Sequence, residues 1–131
     1  MKTLLSLFAL TCAAQGAIIY MGAYPDSVIV FDEGKGQIVE KIPLVTGLPT
    51  SMRLSLDRKK IYVTTNDHSG LEVIDVATRK VTNHFVLNTP TKRYRFNGGV
   101  PDPDGKLFYT VTTEMNKLND RYEIGKLKYT V

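Results

Sequence analysis

Three observations predict an all-β fold of repeated units. Short stretches rich in β-branched and aromatic residues recur along the chain, such as residues 61–65 (IYVTT) and 71–75 (LEVID). Turn chemistry punctuates them at Asp67-His68-Ser69-Gly70, Val76-Ala77-Thr78-Arg79 and Asp102-Pro103-Asp104-Gly105. No stretch after residue 16 holds a sustained helical period.

The repeat length decides the architecture. Tyr20, Tyr62 and Tyr109 open similar strands, 42 and then 47 residues apart, and Asp32 and Asp75 close similar strands 43 apart. Asp57 precedes Tyr62 as Asp104 precedes Tyr109, again at 47. Two landmarks moving together argue against chance alignment. A period of roughly 40–50 residues with four short strands per unit is the arrangement of β-propeller blades. The expected fold is therefore a partial disc of about two and a half four-stranded blades, over residues 17–46, 47–90 and 91–131.

In chain order, residues 1–16 read as a signal peptide. One positive charge at Lys2 precedes an apolar run at residues 4–10 (LLSLFAL), too short for a stable membrane span, and small residues follow it. Cleavage after Gly16 and cleavage after Ala14 both fit, so the chain is expected to be exported, to a periplasm or the extracellular space. Ala9 and Thr11 fit a lipobox poorly, which argues against lipid anchoring at Cys12. Cleavage after Gly16 leaves no cysteine, hence no disulfide, thiolate metal site or haem attachment. The formal charge of +4 is mild, and the lysines are spread along the chain rather than gathered on one face, so no nucleic-acid partner is expected.

The first blade supplies strands near 17–24, 28–32 and 37–44. The second is complete, near 51–56, 60–66, 71–76 and 80–87. The third supplies 94–100 and 106–113, then a loop excursion over residues 114–126, then 126–131. Asp104-Gly105 predicts a tight turn. Arg58-Lys59 replaces the Gly-bearing pair in the preceding unit, where a different turn geometry is expected. The last residues stop partway through a Val-Ile-Asp-like strand. A closed propeller needs about four to eight blades, so truncation, or assembly with the remaining blades of a longer propeller, is expected.

Residues 57–66 (DRKKIYVTTN), followed by 73–81 (VIDVATRKV), resemble the YVTN repeat family. The middle unit carries most of that resemblance; Tyr20-Met21-Gly22-Ala23 departs from the motif and Tyr109-Thr110-Val111-Thr112 shifts it. The resemblance implies a disc of blades, commonly seven. It also extends to the propeller chains of quinone-dependent (quinoprotein) amine dehydrogenases, where the cofactor sits on a partner subunit, and more distantly to lactonases acting on sugar lactones. Neither set of site residues can be assigned on this sequence, and no cofactor is expected on this chain.

Few residues invite a chemical reading. His68 with Asp67 and Asn66 could ligate a metal, but such trios usually serve turn hydrogen bonding, and no metal site is expected. His84 lies in a strand where alternation makes it a surface residue. Asp32 and Asp75 recur once per blade and so cannot converge as a catalytic pair; they are expected to accept backbone hydrogen bonds from the following turn. Residues 92–96 (KRYRF) interleave basic and aromatic side chains at the start of an inner strand. Arg93 and Arg95 share one face there and are the candidate ligand-facing residues, suited to an anion; Asn97-Gly98-Gly99 behind them is either a close-approach site or a strand bend. There is no Gly-x-Ser-x-Gly elbow, Walker loop or dinucleotide fingerprint, and no catalytic residue is assigned. The sequence points to a binding or interaction scaffold for a protein or small-molecule ligand, with the enzymatic alternatives above left open.

Overall fold

The computed structural model describes residues 16–66 and 69–131. Most of the expected signal peptide, Cys12, Asp67 and His68 lie outside the described residues. The described chain is all-β, with ten strands and no helix: β1 (Ile18–Ala23), β2 (Ser27–Asp32), β3 (Gln37–Pro43), β4 (Pro49–Leu54), β5 (Lys60–Thr65), β6 (Gly70–Asp75), β7 (Lys80–Val86), β8 (Lys92–Pro101), β9 (Phe108–Lys117) and β10 (Tyr122–Thr130). They form three antiparallel sheets in chain order: β1-β2-β3, β4-β5-β6-β7 and β8-β9-β10. This is a propeller-like partial fold.

The turns explain why the repeat is so regular. Ser55 N–H donates to the Lys60 carbonyl and Arg58 N–H to the Ser55 carbonyl; 47 residues on, Asp102 N–H donates to Leu107 and Gly105 N–H to Asp102. Arg58 and Gly105 have nearly the same backbone, with φ of 59° and 65°. The expectation of a different geometry at Arg58 is thus corrected: the turn is the same, with a side chain accepted in left-handed backbone that glycine adopts without cost. Arg79 (φ 56°) stands in the same relation to Gly36 (φ 64°). Asp32 Oδ1 accepts the Lys35 N–H and Asp75 Oδ1 the Thr78 N–H, at 3.1 and 2.7 Å, as expected for strand-ending aspartates. The Thr78 bonds hold the Asp75 carboxyl below the usual carboxylate range.

The sheets stack through alternate faces. Val28, Val30 and Ile42 of the first sheet meet Ile61, Val63 and Ile74 of the second, and all are buried. The opposite face of the second sheet, with Tyr62 and Leu71, meets Phe108 of the third. Tyr62 and Phe108 stack with ring centroids 5.5 Å apart. In the first two sheets a tyrosine reaches across to the next: Tyr20 donates its hydroxyl to the Val76 carbonyl and Tyr62 to the Gly105 carbonyl. The third in the series, Tyr109, is 45% exposed.

A buried carboxylate ties the first two sheets together. Glu72 is fully buried, and its Oε1 accepts both the backbone N–H and the hydroxyl of Thr46 at 2.7 Å. Thr65 donates to Thr46 in turn, at 2.8 Å to its hydroxyl oxygen. A Cβ on Gly70 would strike the Thr46 side chain, so this corner admits only glycine.

The third sheet differs from expectation in one place. Residues 114–126 are not a loop excursion. β9 runs to Lys117 and β10 starts at Tyr122, joined by a tight turn in which Leu118 N–H donates to the Arg121 carbonyl. A register shift between Ile124 and Leu127 takes up one extra residue as a bulge. The strand expected over 106–113 thus continues to Lys117, and its alternate residues Phe108, Thr110, Thr112 and Glu114 are all buried; the polar composition hid that continuation. The register shift between Phe96 and Gly98 makes Asn97-Gly98-Gly99 a strand bend, and Gly99 is a close-approach site as well, since a Cβ there would strike the Phe108 ring.

Candidate functional site

β8 alternates as its sequence requires. Tyr94 and Phe96 pair with Glu114 and Thr112 of β9, whose side chains are buried, and Phe96 packs on the Tyr62–Leu71–Phe108 cluster. Arg93 and Arg95 pair with Met115 and Thr113 on the other face. The structure therefore puts the two candidate arginines on one face, as the alternation predicts.

What the alternation could not supply is the second wall. Asn66, Ser69 and Asn88 come from the ends of β5, β6 and β7, and with Arg93, Arg95 and Tyr122 they bound a crevice of about 340 Å³. Its lining carries two guanidinium groups among the described residues. Asn88 fixes the junction: its Oδ1 accepts the Tyr94 N–H at 2.8 Å, while its Nδ2 lies buried with no acceptor. Leaving a buried amide donor unmet costs about 1–3 kcal/mol, so such a group marks a place where an acceptor is wanted.

Glu114 accepts from Lys128 and Lys92 and from the Tyr94 hydroxyl, the last at 3.1 Å. The Lys128 bond first, then Lys92, hold its carboxyl down at about 2. Lys92 pairs with Glu114 at 2.7 Å, and Arg93 and Arg95 are among the residues that line the crevice. Sequence reasoning missed Asn88 and Glu114. The every-other-residue pattern from Phe108 to Glu114 could have found Glu114; nothing local marks Asn88.

A second crevice of about 370 Å³ lies at the opposite end of the same two sheets, against Tyr62, Leu71, Phe85 and Leu107. It opens opposite β7, where the third sheet has no counterpart of that strand among the described residues. It is a gap in the stacking rather than a built site. His84 is exposed on β7, as expected, and Asp32 and Asp75 sit on separate sheets and do not converge.

No family model matches the chain, and no curated protein matches it. Among solved structures it is similar to hydrazine synthase of Kuenenia stuttgartiensis, with a TM-score of 0.55 and 22% identity. The likeness is one of fold. It covers 73% of this chain and 27% of that one, so the chain spans about a quarter of that structure's length.

Proposed function

We propose that this chain is part of an exported β-propeller of YVTN-like blades that acts as a binding scaffold, with the Arg93–Arg95 crevice taking an anionic group. On this reading the three sheets are blades, the first without its inner strand and the third without its outer one. One observation supports the binding site: two guanidinium groups and Asn88, whose amide nitrogen is buried without an acceptor, border one crevice. Arginine's planar fork suits carboxylate or phosphate oxygens, and Tyr122 offers surface for an apolar or aromatic body.

Calorimetric titration with phosphate, sulfate and citrate tests it. Binding by the unaltered chain and a loss of at least about tenfold on Arg93→Ala/Arg95→Ala are expected, since charge-assisted hydrogen bonds contribute about 1.5–3 kcal/mol each. Anion binding unchanged in the double variant dismisses the site.

A second reading makes the propeller a supporting part of a larger enzyme. It draws on the similar structure being a hydrazine synthase and on the resemblance to quinone-dependent amine dehydrogenases. In that case the crevice anchors a partner and the reacting groups lie outside this chain.

A further inference from the structure

Two turns of the second sheet carry arginine where the matching turns of its neighbours carry glycine. Arg58, between β4 and β5, corresponds to Gly105 of the third sheet, and Arg79, between β6 and β7, to Gly36 of the first. All four residues have φ between 56° and 65°. Left-handed backbone is uncommon outside glycine, and arginine lacks the short polar side chain by which asparagine or aspartate adopts it. Backbone preference alone would therefore place glycine at both positions. The two turns close the same end of the second sheet, leading into β5 and out of β6. Asn66, Ser69 and Asn88, which border the Arg93–Arg95 crevice, lie at the opposite end of those strands.

Both arginines border one crevice of about 290 Å³, whose other walls are Ile18 and Tyr20 of the first sheet and Leu54 and Val76 of the second. At about 30 Å³ for each water-sized group, it has room for about ten of them. The Tyr20 hydroxyl, donating to the Val76 carbonyl at 3.3 Å, ties the two walls together. The carboxylates next to these turns serve the turns themselves. Asp57 accepts the Ser55 hydroxyl and the Lys59 N–H, at 2.7 and 3.0 Å, and Asp75 accepts the Thr78 N–H and hydroxyl, at 2.7 and 2.8 Å. Among the described residues no hydrogen bond or ion pair engages either guanidinium group. Backbone strain of this kind persists where a side chain is needed for something other than the turn. We infer that Arg58 and Arg79 form a second anion site, for a small organic acid. Its carboxylate or phosphate head meets the two guanidinium groups, and its apolar body lies against Ile18, Leu54 and Val76. The site is separate from the Arg93–Arg95 crevice, and either can fail without the other.

Calorimetric titration of benzoate, phenyl phosphate and inorganic phosphate into the Arg93→Ala/Arg95→Ala chain tests it, because that background removes the arginines of the other crevice. Saturable binding of at least one of the two organic anions is expected, tighter than that of inorganic phosphate by about tenfold, since the ring adds buried apolar area. Which of the two binds better tells a carboxylate head from a phosphate one. Adding Arg58→Gly/Arg79→Gly is expected to weaken that binding by at least about tenfold while keeping the thermal midpoint at or above that of the background, because glycine takes the same backbone without strain. If the glycine variant alters the circular dichroism, Arg58→Asn/Arg79→Asn replaces it, since asparagine also tolerates left-handed backbone. Three results overturn the inference: no saturable binding of either organic anion, inorganic phosphate bound as tightly as they are, or binding that survives the loss of both arginines.

Discussion

The second and third sheets are built from the same repeat, yet their second strands live in different surroundings. From Ile61 to Thr65 every residue of β5 is buried, because the first sheet covers one face and the third covers the other. β9 instead alternates from Phe108 to Glu114 between buried residues and exposed or half-buried ones, because only the second sheet covers it. Strand propensity and turn chemistry are alike in the two. The difference teaches that burial in this architecture belongs to a sheet's neighbours and not to its own sequence.

The comparison can be broken most directly by truncation. Ile74→Ala in the doubly covered sheet is expected to cost about 2–5 kcal/mol, the range for deleting a buried branched side chain. Leu127→Ala on the open face should stay within about 0.5 kcal/mol when urea unfolding is measured at concentrations where the chain is monomeric. Equal effects would mean that the third sheet's back face is covered within the chain. The two carboxylates sharpen the contrast. Glu72→Ala removes the acceptor of two Thr46 donors in a dry interface and is expected to destabilise by about 1–3 kcal/mol in the same assay.

Glu114 acts at a rim where Lys92 and Lys128 are 40% and 49% exposed, so its effect is smaller and dependent on pH and salt. Its carboxyl is held at about 2 against an ordinary 4.5. A carboxyl lowered on folding stabilises fully above its unfolded value and loses that contribution as pH falls through the folded one. The stability that Glu114 supplies should therefore fade between about pH 4.5 and 2, and Glu114→Gln should flatten the acid limb of a pH–stability curve. Smallest are the turns. Arg58→Gly should stabilise by up to about 1 kcal/mol, and Gly105→Ala should destabilise by about that much, because both positions hold left-handed backbone. Thermal melts of the two variants check whether the repeat constrains both turns alike.

The sequence made the strands, the repeat length and the strand-ending role of Asp32 and Asp75 legible, because each depends on contacts between near neighbours. It also put Arg93 and Arg95 on one face, since alternation along a strand is a local rule. The same local rules failed at residues 114–126, where the end of β9 and the start of β10 were read as a loop, and at Arg58, where the turn kept its shape without glycine. Asn88 could not be found from the sequence: it matters only because the end of the second sheet meets β8, six residues on in sequence but in another sheet.

By itself, then, the sequence determined the units of this protein: antiparallel strands of fixed length, closed by hydrogen-bonded turns that any copy of the repeat forms alone. Only the tertiary structure decided which faces of the second sheet are covered, where the crevice lined by Arg93 and Arg95 opens, and which carbonyls accept from Tyr20 and Tyr62. Those outcomes arise from stacking one sheet on another, an arrangement set by side chains tens of residues apart, which no spacing along the chain encodes.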